Sequence, residues 1–387
     1  MNRPLLLIAA ATGLVCGSLA TAGGFVDLEV YRFGGSLVPG AEERLYVEGV
    51  PGSGLPFTYP PFAAVLFALV AEVPLPMLVA IWSAAGVFVL GGVLARDLPS
   101  SYPPLGVAAT TAGALALEPV WATLAFGQVN LFLLGLLLAD LLRPEHRHAG
   151  VLTGVAAGIK LTPLLFLVFL LLVRRPAAAV RAGGAFAATI GLGFVVAPQA
   201  SAAYWGGVVW DAGRVGGVPF SGNQSMLAAM TRLGGAEPST VVWFLVTGAL
   251  TLGVLLVAAR AFRDGHRSLG VCLAGLAMLV ASPISWDHHW VWAAPLAVAL
   301  WPLSRAVAGA WTLVFVSVCI FWPPHRDDRE LLWTPAEHLV GNAYLLAALA
   351  VTVYVGMWLS TRTRPPAALR PPGRWRPRPG PVAPASS

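Results

Sequence analysis

The sequence predicts an all-α, polytopic membrane protein, and three observations carry that prediction. Of 387 residues, 57% are hydrophobic and only 11% are charged, against about 25% charged in a soluble domain. Mean hydropathy is +0.75. The apolar residues fall into runs near the roughly 20 residues that span a bilayer as a helix, and arginines sit between the runs. The net charge of +6 comes largely from these arginines and from the C-terminal tail. It therefore speaks of orientation in a membrane and not of nucleic acid. Cys16, Cys272 and Cys319 each lie inside an apolar run, with neither a disulfide framework nor a metal-thiolate spacing.

Taken in order, residues 4–24 form a first span running outward from Arg3. Ala20-Thr21-Ala22 imitates a signal-peptide cleavage site, but the many later spans favour an uncleaved signal anchor. Residues 25–58 are a long external loop with Asp27, Glu29, Tyr31 and Arg32 near its start. The apolar stretch at 61–72 is short for a span. If it crossed, Arg96 at the end of the 76–95 span would fall outside; if it lies on the membrane surface, Arg96 and the later basic loops fall inside. The positive-inside rule favours the surface helix.

Residues 104–119 then go out and 129–142 return to Arg143 and Arg147. The 149–173 stretch has basic clusters at both ends, so two short helices are expected, broken around Lys160-Leu161-Thr162-Pro163. Spans follow at 180–197, 239–259, 268–281, 291–303, 306–322 and 342–359. A second external loop covers 198–238. The expectation is 12 spans in one domain over 1–360, with both termini inside and a disordered, basic, proline-rich tail at 361–387.

On this topology the unusual polar residues share the external side: Asp27, Tyr59, Gln128, Asn130, Lys160, Asn223, Gln224, Asp287, His288 and His289. Asp27 could act as a general base on a hydroxyl, or be a solvated loop acid or helix cap. Lys160, the one lysine of the chain, interrupts an apolar run. It needs an anionic partner such as a phosphate, unless it snorkels to the interface. His288 and His289 could hydrogen-bond a phosphate, while no third histidine at helical spacing supports zinc. Trp286 offers a flat surface to a sugar ring or prenyl chain, and tryptophans also gather at interfaces without that role. Gln128, Asn130, Asn223 and Gln224 could orient sugar hydroxyls or simply bridge helices.

Six motifs in order carry a family resemblance: Asp27-Leu28-Glu29-Val30-Tyr31, Tyr59-Pro60-Pro61, Phe126-Gly127-Gln128-Val129-Asn130, Gly158-Ile159-Lys160-Leu161-Thr162-Pro163, Gly222-Asn223-Gln224-Ser225, and the stretch from Ser282 to Trp290. Together they resemble the polyprenyl-phosphate-sugar-dependent GT-C membrane glycosyltransferases, and more closely glycosyltransferase family 87, the actinobacterial α-mannosyltransferases. The resemblance implies a GT-C-type bundle with a juxtamembrane helix in the first external loop. It also implies an extracytoplasmic site in the plasma membrane and inverting transfer of mannose from polyprenyl-phosphate-mannose. The acceptor would be a phosphatidylinositol mannoside or lipomannan-type glycan, extended in α-(1→2) linkage. The catalytic aspartate maps onto Asp27. Lys160, His288 and His289 would receive the donor phosphate, and Tyr59, Gln128, Asn130, Asn223, Gln224, Trp286 and Asp287 would line the substrate. No cofactor or metal is expected, since the chain has no spaced Asp-x-Asp pair. Two other readings stay open: transfer of another prenyl-phosphate sugar such as arabinose, and a polar-lipid transporter. The second would place polar residues through the midplane and repeat its halves.

Overall fold

The computed structural model describes residues 2–20, 23–143 and 145–361. The tail from residue 362 on, expected to be disordered, lies outside the described residues. Helix α1 (Arg3–Leu19) starts where the Asn2 side chain accepts the Leu5 N–H. After it Phe25, in the left-handed region, donates its N–H to the Ala125 carbonyl. That contact launches α2 (Val26–Ser36), with Asp27 and Glu29 in its first turn, where the helix dipole favours carboxylates. The start of the loop expected over 25–58 is thus a helix. Glu29 lies about 200° of rotation from Asp27 around it.

Helix α3 (Pro61–Phe67) runs into a 3-10 turn ending at Val70, and α4 (Leu75–Ala95) follows. The expected straight span at 104–119 is instead α5 (Pro104–Ala114) and α6 (Glu118–Phe126), bent by 79°. Pro119 stands in the first turn of α6, where its missing N–H would have no helical partner anyway. After α7 (Asn130–Leu141), the 149–173 stretch breaks where proline predicted. It gives α8 (Val151–Ile159), an extended Lys160, a 3-10 turn at Thr162–Leu164 and α9 (Leu165–Leu172). Helix α10 (Pro176–Val196) leads into a loop that itself carries α11 (Pro198–Gly206) and α12 (Met226–Gly234). The chain ends with α13 (Thr240–Arg263), α14 (Arg267–Ala281), α15 (Ala293–Leu300), α16 (Arg305–Val316), α17 (Pro335–Gly341) and α18 (Ala343–Thr361).

The protein is an all-helical integral membrane protein. Helices α4, α10, α13 and α18 are each long and apolar enough to cross a bilayer, and the bent α5–α6 pair makes a fifth if it is one span. Shorter apolar helices, α1, α7 and α14 among them, pack with these.

Polar contacts divide the bundle into two ends. At one end Arg175 and Arg267 both meet Glu145, Arg263 donates to the Leu172 carbonyl, Arg260 donates to the Leu359 carbonyl, and Ser268 donates to Asp97. The loops that the arginines assigned to one side therefore do meet. At the other end Arg214 reaches the Tyr46 carbonyl, Gln224 the Gly341 carbonyl, and Glu330 the Ser221 N–H. That second end holds the site.

Candidate active site

A cavity of about 410 Å³ opens at this second end, with Asp27, Tyr59, Lys160, Trp286, His288 and His289 in its wall. Each comes from a place where a helix starts, stops or breaks. Asp27 opens α2, Lys160 terminates α8, and the two histidines occupy a 3-10 turn (Asp287–Trp292) ahead of α15. Helix termini put polar groups where backbone is not already paired, which suits a site built among apolar helices.

Gln128 is the anchor for Asp27. Gly127 ends α6 in the left-handed conformation, and a Cβ there would come within 2.6 Å of the Leu28 side chain. This close approach of α6 to α2 aims Gln128 across the gap. Its Oε1 accepts from Tyr31 Oη at 2.6 Å and from the Val129 N–H at 2.9 Å. Its Nε2 donates to Tyr59 Oη at 2.9 Å, and the amide lies in the cavity wall with Asp27. Tyr31 also stacks on Phe67, centroids 4.2 Å apart, tying α2 to α3. Burial raises the Asp27 pKa from its ordinary value; the neighbouring His288, Lys160 and Gln128 side chains draw it partly back.

Lys160 Nζ lies 3.0 Å from His289 Nε2 and 3.3 Å from Asn130 Oδ1, and 5.7 Å from the centre of the Tyr59 ring. Asn130 Nδ2 in turn donates to the His288 carbonyl at 2.7 Å, as does Thr123 Oγ1 at 2.7 Å. The GIKLTP, FGQVN and DHH motifs thus converge on one knot. Behind His288, its Nδ1 meets Asp287 Oδ1 at 3.1 Å, and the carboxyl group of Glu118 lies near that of Asp287. Glu118 is 1% exposed and accepts from Tyr344 Oη at 3.1 Å.

Not every expected residue faces the cavity. Asn223 and Gln224 are fully buried and bonded to backbone: Asn223 Oδ1 accepts from Ser225 N and Ser285 N, and Gln224 Nε2 donates to the Ser221 and Gly341 carbonyls. They clamp the loop carrying Trp286 to the α12 and α17 loops. Asn130 and Asp287 stand behind the wall, against Lys160 and His288. Sequence reasoning passed over Glu118, although an acid beside a proline in an apolar run was the available signal. It also left Arg214 without a role; Arg214 and Asp211 both line the cavity. Among the described residues, no three His, Cys, Asp or Glu side chains are grouped to hold a metal ion.

A carboxylate poised opposite a lysine and two histidines can take a proton from a hydroxyl while the lysine and the ring N–H groups receive an anionic leaving group. Comparison with known proteins agrees in kind. Residues 57–283 match the model of glycosyltransferase family 87. The chain is 31% identical, over 87% of its length and 85% of the relative's, to a polyprenol-phosphate-mannose-dependent alpha-(1-2)-phosphatidylinositol mannoside mannosyltransferase of Mycolicibacterium smegmatis. The protein of the same description from Mycobacterium tuberculosis is 30% identical, over 89% of this chain and 87% of its own. A pentamannoside mannosyltransferase of that description from M. tuberculosis is 34% identical, over 91% and 86%. No solved structure matches the chain significantly.

Proposed function

The chain belongs to glycosyltransferase family 87, and on that premise we propose that it moves mannose from polyprenyl-phosphate-mannose to a phosphatidylinositol mannoside in α-(1→2) linkage. The observation that carries this reading is Asp27 sharing one cavity with Lys160, His288 and His289. The acceptor hydroxyl oxygen attacks the anomeric carbon as Asp27 takes its proton. The bond from that carbon to the phosphate oxygen breaks, and the phosphate leaves with the electron pair. A single displacement inverts the β-linked donor to an α-product, by the geometry that governs inverting glycosidases. Lys160 and His289 lie together and receive the charge growing on the phosphate, with His288 beside them. Tyr59, Gln128 and Trp286 shape the sugar side of the cavity, and Asn130, Asp287, Asn223 and Gln224 hold its walls.

In the membrane, the arginine-rich end faces the cytoplasm with both termini, by the positive-inside rule. The cavity end faces outward from the plasma membrane. Helix α3 with its 3-10 turn lies along the outer surface, and the bundle over 1–360 makes about 12 crossings of GT-C type.

The test incubates purified protein with labelled polyprenyl-phosphate-mannose and phosphatidylinositol mannosides, then digests the product with an α-(1→2)-specific mannosidase. Wild type yields a digestible product, and Asp27→Asn lowers the rate about 100-fold or more. Equal transfer by Asp27→Asn removes the assigned base. Transfer from polyprenyl-phosphate-arabinose alone overturns the donor.

A further inference from the structure

The cavity wall carries a further cation, on a different loop from the Lys160–His289 pair. Arg214 sits in a 3-10 turn (Ala212–Val215) of the loop that follows α11. Gly216 comes next at φ +125°, and a Cβ there would lie within 2.9 Å of the Trp286 ring. The turn is therefore seated against Trp286, which opens the histidine turn. Arg214 Nη2 donates to the Tyr46 carbonyl at 2.7 Å. Tyr46 is itself fixed: its hydroxyl donates to the Tyr59 carbonyl at 2.8 Å, and its ring lies 5.3 Å from that of Tyr204. One edge of the guanidinium is thus tied down. Its Nε is buried with no hydrogen-bond partner. Asp211 lines the same cavity, yet among the described residues no carboxylate lies within ion-pair distance of Arg214. A guanidinium has five N–H donors in a planar fork and cannot shed its charge, so an unpaired edge facing a cavity calls for an anion.

We propose that Arg214 is a specificity-determining residue that holds the phosphodiester of the lipid acceptor. The assignment rests on the reading of the cavity as a phosphatidylinositol mannoside site. The two substrates bring two phosphates with different needs. The donor phosphate gains charge as its bond to the sugar breaks, and it belongs with Lys160 and His289, which lie together where helices break. The acceptor phosphodiester takes no part in the chemistry and keeps one negative charge throughout. A permanent charge with paired planar donors suits such a group, because the fork matches phosphate oxygens two at a time. The location agrees with this division. Arg214 joins the loop after α11 to the loop of Tyr46, so it stands in the loop layer of the cavity end, where a headgroup arrives with its chains still in the bilayer. A contact made equally before and during the reaction lowers KM for the acceptor and leaves kcat unchanged. Arg214 thereby selects mannosides carried on an anionic lipid over neutral ones.

The experiment measures transfer by full-length wild type and Arg214→Gln to two acceptors. One is a phosphatidylinositol mannoside; the other is a neutral alkyl α-mannoside with the same terminal sugar and no phosphate. Glutamine keeps an N–H donor and loses the charge and the fork. In Arg214→Gln the KM for the phosphatidylinositol mannoside rises about 10-fold or more, since a hydrogen bond to a charged group is lost. The KM values for the neutral mannoside and for polyprenyl-phosphate-mannose each move by less than about 3-fold. Three results overturn the proposal. A rise shared by both acceptors is what a purely structural bond to Tyr46 would give, a rise confined to the donor would hand Arg214 to the leaving phosphate, and no rise at all removes the site. Binding of short-chain phosphatidylinositol without donor is followed by tryptophan fluorescence in both proteins. If wild type transfers no mannose but Arg214→Gln weakens that binding about 10-fold, the functional reading fails and the anion site stands. If wild type transfers and Arg214→Gln keeps its KM for the phosphatidylinositol mannoside, the reading stands and the site fails.

Discussion

Lys160 Nζ stands 3.0 Å from His289 Nε2, and the chemistry of an ammonium group decides which of the two donates. An ammonium has hydrogens and no lone pair, so the ring accepts at Nε2 and carries its own proton on Nδ1. With Asn130 Oδ1 taking a second hydrogen, one N–H of Lys160 is left to aim into the cavity. Lys160→Met, which keeps the length of the side chain and removes the charge, should reduce turnover about 100-fold or more while the protein still purifies as a folded monodisperse species. Lys160→Arg should recover part of the loss. Steady-state kinetics with varied donor checks both; a rate unchanged in Lys160→Met removes the lysine from the reaction.

The pH dependence follows from Asp27. Its pKa is raised, with burial the largest cause. As pH falls through that raised value Asp27 takes up a proton and the base is lost, so the acid limb of kcat/KM should lie above the ordinary carboxylate range. Stability runs the other way. A folded state that holds the Asp27 proton more tightly than the unfolded chain gains from Asp27 at low pH and loses that gain as pH rises through the raised pKa. Asp27→Asn should therefore melt at a higher temperature than wild type at neutral pH while being nearly inactive. A pH–rate profile together with thermal scans of the two proteins tests the pair of signs.

Gln128 separates geometry from electrostatics. Gln128→Leu removes the amide that draws the Asp27 pKa down, so the acid limb should move further upward. It also takes the Gln128 Oε1 acceptor from Tyr31 Oη and the Val129 N–H, leaving the first with Tyr59 Oη and the second with a 3.4 Å contact to Tyr31 Oη. A lost buried hydrogen bond costs about 0.5–1.5 kcal/mol, so the variant should also melt lower. A shift of the limb toward lower pH would contradict the role assigned to Gln128.

The ends of the bundle were legible in the sequence because charge placement is one-dimensional information. Arginines at 96, 175 and 267 mark one side, and the structure joins Arg175 and Arg267 on Glu145. The break at Lys160 was legible too, since Pro163 cannot continue a helix. What the residues could not disclose was which polar groups spend their bonds on backbone. Asn223 and Lys160 look alike in a motif, yet Asn223 is consumed by Ser225 N, Ser285 N and the Val218 carbonyl. Glu118 was hidden for the opposite reason: its meaning depends on Asp287, far along the chain, and on a 79° bend that no local propensity announces. Asp27 was expected in a loop and stands instead in a helix, because the contact that starts α2 is made with Ala125.

Asn223→Ala should consequently behave as a stability variant. It removes the side-chain acceptor of two buried N–H groups, those of Ser225 and Ser285. The expected loss is about 2 kcal/mol or more, seen as a lower melting temperature. The fraction that remains folded should keep the wild-type KM for the donor within about 3-fold. A large rise in that KM with no change in melting would instead put Asn223 in contact with substrate.

The last prediction concerns how finely α2 is seated. Gly35 lies eight residues after Asp27 on the same helix, and a Cβ there would come within 2.5 Å of the Phe67 carbonyl carbon. Backbone cannot swing aside as a side chain can, so Gly35→Ala must push α2 away from the end of α3 and strain the Tyr31–Phe67 stack beside it. Overpacking of this kind costs about 1–3 kcal/mol, and displacing a catalytic group by an ångström can cost about 100-fold in rate. Gly92 on α4 is the control, because a Cβ there would meet no atom within 4 Å. Gly92→Ala should be neutral or slightly stabilising, since alanine is the better helix former by about 1 kcal/mol. Gly35→Ala should lose activity out of proportion to its loss of melting temperature, because the strain acts on the helix that carries the base. Wild-type turnover in Gly35→Ala would mean that α2 can shift without moving Asp27, and the tight seating would have no bearing on catalysis.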